Sequence, residues 1–468
     1  MTPQEIIPAR SNLWLGDKTP NFQKTKLFDP ITVWVIIIII LITLVFFLPI
    51  ISNFTFEEVF FTPLVPFLFN IFAIFNIGQE TVLKSLYIFS FLLSSIGIYI
   101  LVLDMTRRQI TSILASVMFV IWPIPIFILI FFKPGLYGEG ANWISSFFTI
   151  VYGDTAHFLA LSIMPYTIIL FQRYLKTART IYFSTTVMSC ALILLINRTQ
   201  SLNLLLVLSV VALNSLLLGQ ARIKIRRLFF VIIFSIGLVT FWYTPSFWIK
   251  TFGILNTYII LNFKYIFPLP IILAVIGTFF SFVFFGKNED RRLIFISFLL
   301  FIAFGVITAD WLLHFRSFIP YPHRLIPNFN MFTAIVFALS MSALLDKLKI
   351  LEIIKISRWS KLDKIAGTFI FITGSFLGLV GLVLVVSPVI INVLSGSAGY
   401  WQKIKQQINF ETQNAIDLAG GNLKLVQSMS SYWQLTLGII ITAFFLIWLV
   451  ALTLKALAFE DDEKTSKI

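Results

Sequence analysis

Apolar runs of about 18 or more residues recur along this chain, separated by short polar stretches. Each run is long enough to cross the hydrocarbon of a bilayer as a helix. The runs are continuous, whereas a membrane β-barrel would show short alternating segments. The pattern predicts an all-α fold, a polytopic transmembrane helix bundle of about twelve spans. These lie near 31–52, 83–103, 110–132, 158–175, 181–197, 201–218, 228–246, 266–285, 293–309, 325–345, 365–392 and 435–457. No internal repeat is visible, and no long polar linker divides the chain. The expected organisation is a segment 1–30, one membrane domain over 31–457 and a short charged tail over 458–468.

Residues 59–76 (VFFTPLVPFLFNIFAIFN) are also apolar. Counted as a span, they would invert every later helix. Pro63 and Pro66 each lack a backbone donor and resist a straight helix, so the segment is read as re-entrant or interfacial. The charge pattern supports that reading. Arg107 and Arg108, then Arg173, Lys176 and Arg179, then Arg222, Lys224, Arg226 and Arg227, then Lys287, Arg291 and Arg292, and finally the lysine-rich stretch 347–364 fall in alternate loops. Under the positive-inside rule these loops and both termini are cytoplasmic. The outer face then carries 54–82, 133–157, 247–265, 310–324 and 393–434. The expected location is the plasma membrane of a prokaryote.

Composition agrees. The 468 residues are 58% hydrophobic and 12% charged, about half the charge of an ordinary soluble domain. The net charge of +14 sits in short clusters between apolar runs, which sets membrane orientation and argues against nucleic-acid binding. The single cysteine, Cys190, excludes an intramolecular disulfide. The first apolar run is too long for a signal-peptide core and reads as a retained helix.

The candidate chemistry collects on the predicted outer side, which holds all three histidines. Glu57 and Glu58 directly follow the first span, where an acidic pair could act as a general base or hold a divalent cation. Asp154 and His157, spaced i, i+3 after a glycine-rich loop, would share one face of a helix that Asp154 caps. Asp310, His314, Arg316, His323 and Arg324 crowd a third loop with Trp311 and Tyr321. A cationic, aromatic loop suits a phosphate-bearing head group, because arginine binds phosphate in a fork and rings stack on sugars. Loop solvation, helix capping and lipid snorkelling account for the same residues without a site. Three histidines and an aspartate invite a zinc reading, but their spacing matches no compact zinc motif. No P-loop, dinucleotide fingerprint or nucleophile elbow is present. Asn197-Arg198-Thr199 reads as a short outer turn. Trp242, Tyr243, Trp248, Tyr400, Trp401, Tyr432 and Trp433, near outer span ends, read as an aromatic belt.

Taken together, the first-loop acid, the proline-bearing segment 59–76, the glycine-rich loop with Asp154 before a span ending in FQRYL, and Pro322-His323-Arg324 opening a late span resemble the GT-C class of polytopic membrane glycosyltransferases. The last of these looks like the YfhO-like bacterial and archaeal relatives. The resemblance covers roughly 31–345. It implies transfer of a sugar from a polyprenyl-phosphate donor to an acceptor on the non-cytoplasmic face. It assigns Glu57 or Glu58 the role of base or metal ligand, and Arg316, His323 and Arg324 to the lipid phosphate; Asp154 stands with the glutamates as a further catalytic candidate. That class commonly carries an aspartate in the first loop, where this chain has Glu-Glu. Membrane lipid and a polyprenyl-phosphate-linked sugar are the implied partners, with room for a membrane protein partner. Two other classes fit the same pattern, a multi-span transporter or flippase and a non-catalytic membrane subunit or scaffold.

Overall fold

The computed structural model describes residues 30–51, 62–106, 108–121, 155–216, 221–247, 325, 327–339 and 430–465, with single residues or short pieces at 249 and between 296 and 304. Among the described residues there is no strand. Ten helices make up most of them: α1 (Pro30–Ile51), α2 (Leu64–Ala73), α3 (Gln79–Thr106), α4 (Gln109–Ile121), α5 (Thr155–Thr177), α6 (Thr180–Ile196), α7 (Arg198–Leu216), α8 (Ala221–Val239), α9 (Pro327–Leu339) and α10 (Tyr432–Thr465). Three stretches, Gln79–Thr106, Thr155–Thr177 and Tyr432–Ala456, are long and apolar enough to cross a membrane.

Contacts fix the relative directions of six of these helices. Phe91 meets Phe158 at 4.5 Å between ring centroids, the Tyr166 hydroxyl donates to the Leu93 carbonyl, and Arg173 pairs with Asp104 at 3.1 Å, so α3 and α5 run parallel. Helix α4 returns antiparallel to α3, with Phe119 on Phe91 and Ser116 donating to the Ser95 carbonyl. Ser235 bonds the Val187 carbonyl and Tyr243 the Leu194 carbonyl, which sets α8 parallel to α6. Helix α10 runs against α8, pairing Thr442 with Gly237 and Phe445 with Phe234.

The core is apolar and aromatic. Tyr87, Phe91, Phe119 and Phe158 stack into one buried cluster between α3, α4 and α5. Helix α5 is covered on nearly every side, which explains why its sequence shows no polar face. Serine and threonine hydroxyls inside the helices bond carbonyls one turn back, as Thr43, Ser95, Thr167 and Thr186 do.

Where helices meet most closely, glycine makes the contact. A β-carbon on Gly438 would lie 2.6 Å from the Thr240 carbonyl oxygen, which is backbone and cannot swing away. Gly237, on the facing helix, lies under the Phe445 ring. Small residues of this kind let two helices approach without a hydrophobic driving force between them. Apart from this seam, α10 leaves Ile439, Phe444, Ile447 and Leu454 exposed.

Basic side chains gather at one end. Arg108, Arg173, Lys176, Arg179, Arg226 and Arg227 flank the helix ends there. Arg227 donates to the Leu175 carbonyl at 2.6 Å and lies over the Tyr174 ring, satisfying one of the orphan carbonyls at the end of α5. The run from Arg222 to Arg227, expected in a loop, forms the first two turns of α8, since arginine and lysine are good helix formers. The tail expected beyond 457 likewise continues α10 as far as Thr465.

Two substitutions test this packing. Gly438→Val should cost about 1–3 kcal/mol through overpacking against fixed backbone, read as a lower unfolding midpoint in detergent. Ala178, between α5 and α6, has φ 55°, a left-handed conformation that costs a side-chain-bearing residue about 1–2 kcal/mol. Ala178→Gly should therefore raise the same midpoint, corresponding to roughly 1 kcal/mol.

Candidate functional site

The end of the bundle away from the basic cluster brings together pieces of chain that are distant in sequence. Thr62, in the first predicted outer loop, donates its hydroxyl to the Ile196 carbonyl at the end of α6. Arg198 places its guanidinium over the Phe247 ring at 5.6 Å. The Thr244 and Ser430 hydroxyls are 2.6 Å apart, and Ser246 donates to the Gln434 side-chain oxygen at 2.7 Å. Asn203 on α7 reaches Asn328 on α9. The edges of four predicted outer loops therefore converge with the α6–α7 turn.

That turn is a single residue. Asn197 is extended (φ −153°, ψ 121°), and its N–H donates to the Ile193 carbonyl, closing α6. Its side-chain oxygen accepts from the Gln200 N–H at 2.9 Å, opening α7 as an N-cap. The sequence reading placed the next span at 201; the cap moves its start to Arg198.

Beside this turn lies a group of buried amides. Asn203 Nδ2 donates to Gln200 Oε1 at 3.0 Å and to Asn328 Oδ1 at 3.2 Å. Gln200 and Asn328 are fully buried and Asn203 is 6% exposed. Among the described residues, Gln200 Nε2 and Asn328 Nδ2 have no hydrogen-bond acceptor. Sequence reading missed these residues because it followed charge. The signal was present as the polar run NRTQSLN and the pair Asn328 and Asn330 inside otherwise apolar stretches.

Of the candidate site residues named from the sequence, only His157 belongs to the described part. It is fully buried in the first turn of α5, next in sequence to the Phe158 that joins the aromatic cluster. Glu57, Glu58, Asp154, Asp310, His314, Arg316, His323 and Arg324 lie outside the described residues. Among the described residues no three His, Cys, Asp or Glu side chains gather where they could hold a metal ion. The aromatic belt divides. Tyr432 and Trp433 are exposed, whereas Tyr243 is buried and ties α6 to the chain after α8. Helix α2 forms despite its prolines, because Pro63 is the N-cap and Pro66 lies in the first turn, where no intrahelical donor is needed. Its ten residues reach about 15 Å, half a bilayer core. Phe67, and Ile74 and Phe75 just beyond its end, are exposed.

Comparison with known proteins finds no matching family model, no matching curated protein and no matching solved structure. The GT-C resemblance therefore rests on the residues that carry it.

The convergence of loops has a direct test. With Cys190→Ser as background, the pair Thr244→Cys and Ser430→Cys should cross-link under mild oxidation, because their side chains touch. A protease-resistant linkage on non-reducing gels checks it. Failure to cross-link would place the two loop edges apart.

Proposed function

We propose that this protein is a GT-C-like membrane glycosyltransferase, moving a sugar from a polyprenyl-phosphate donor to an acceptor at the bundle end away from the basic cluster, on the non-cytoplasmic side of the membrane. The observation that supports this reading is the meeting of separate loop edges there, at Thr62, Ile196, Arg198, Phe247, Ser430 and Asn328. A transferase of a lipid-linked sugar needs its acid, its cations and its sugar contacts at one level, just outside the hydrocarbon.

The chemistry follows from the residue types. Glu57 or Glu58 takes the proton of the acceptor hydroxyl or holds a divalent cation, with Asp154 as the further acid. The acceptor oxygen forms its bond to the sugar's anomeric carbon as the bond to phosphate breaks. Arg316, His323 and Arg324 stabilise the negative charge that grows on the departing polyprenyl phosphate. Asp310, His314 and His157 complete the polar lining in this reading. The short apolar helix α2, with Phe67 and the following Ile74 and Phe75 outward, lies along the membrane interface and gives the lipid chain an apolar path.

Proteoliposomes supplied with radiolabelled polyprenyl-phosphate sugars test the reading. Wild-type protein should release polyprenyl phosphate. Changing both acids, Glu57→Gln with Glu58→Gln, should lower turnover by about 10²–10⁴-fold without lowering the unfolding midpoint. Inhibition by EDTA, reversed by a divalent cation, would assign the acids to metal binding. Full turnover in the double variant would remove them from catalysis, and absence of release with every donor would reject the transferase reading.

A further inference from the structure

The amide group on α7 and α9 contains more hydrogen-bonding capacity than the protein uses. Asn203 spends both its side-chain N–H groups, one on Gln200 and one on Asn328. Among the described residues, the side-chain nitrogens of Gln200 and Asn328 are left without acceptors. Each unfilled buried donor costs roughly 1–3 kcal/mol. Rotating the amides does not remove the excess. It exchanges surplus N–H donors for surplus carbonyl oxygens, because three amides in mutual contact cannot use all their donors and acceptors on one another. Filling space alone would need only an apolar side chain at each position, such as the leucines that flank Asn203.

We infer that Gln200, Asn203 and Asn328 form a subsite for an uncharged, hydroxyl-rich group such as a sugar ring. A hydroxyl both donates and accepts, so it satisfies an amide in either orientation. An anion would find only neutral partners in the triad. The nearest cation in sequence, Arg198, turns its guanidinium onto Phe247. A buried charge without a counter-charge is costly, which disfavours a phosphate at this position. The amides lie in the first two turns of α7 and the first turn of α9, beside Asn197 and at the level of the converged loop edges; Gln200 and Asn328 are fully buried, so a ring reaches them only as neighbouring side chains move aside. The inference stands independently of sugar transfer, since a protein that only binds a glycolipid needs the same contacts.

Native mass spectrometry of the full chain in phosphatidylcholine nanodiscs tests it, with monoglucosyl diacylglycerol, diacylglycerol and phosphatidic acid of matched acyl chains as probes. The glucolipid should be held at least about tenfold more tightly than either of the others. Gln200→Met should reduce that preference several-fold, and the triple change Gln200→Leu, Asn203→Leu and Asn328→Leu should abolish it. The triple variant should also keep or raise the unfolding midpoint without ligand, because it removes unfilled donors together with their partners. If that variant does not fold, the wild-type competition and Gln200→Met decide. Equal retention of the three lipids would mean that internal water fills the amides, and would overturn the subsite. A preference for phosphatidic acid, or a glucolipid preference unchanged in Gln200→Met, would overturn it as well.

Discussion

A polar group inside an apolar bundle must find its partner within the protein, because neither lipid nor hydrocarbon side chains can supply one. Much of the described structure follows from that constraint. Hydroxyls fold back on their own helix or reach the next one, as Ser116 does to α3 and Ser184 to Thr453. Arg227 donates to the Leu175 carbonyl in the last turn of α5. Asn197 finishes one helix and starts another with no intervening loop. These polar links sit between helices whose apolar surfaces would otherwise slide past one another, and so they set register.

The same constraint explains what the sequence made legible. Apolar runs located the described helices to within a few residues in most cases, because a long apolar run buries its backbone best as a helix. Basic residues identified one end of the bundle, since an exposed lysine or arginine has few other places to go. Neither signal could position helix ends made of good helix formers, so the start of α8 at Ala221 and the extension of α10 to Thr465 were hidden. Helix α2 was hidden differently. Proline was weighed as a helix breaker without its position in the first turn, where it breaks nothing.

The site was less legible than the fold. Charge drew attention to the loops, where sequence distance says nothing about proximity. The structure places loop edges together through neutral contacts, Thr62 on a backbone carbonyl and Thr244 on Ser430, which leave no mark in a charge pattern. The buried amides were overlooked for the same reason. Asparagine and glutamine carry no charge, yet in this setting an amide is as conspicuous physically as an arginine is in sequence. His157 shows the converse. It drew attention as a titratable residue in a loop, and it is wholly enclosed at the head of α5.

The glycine seam between α8 and α10 has a consequence for the making of the protein. Thr442 meets Gly237 across 205 positions of chain, so α8 has left the ribosome long before its partner exists. Until then, the strip of α8 around Gly237 lacks the partner that covers it. When α10 arrives, the side that meets α8 is marked by Gly438, by Thr442, which bonds the Gly237 carbonyl, and by Phe445 against Phe234. Recognition between the two combines close steric fit with the Thr442 hydrogen bonds, and it can begin only once α10 has been made.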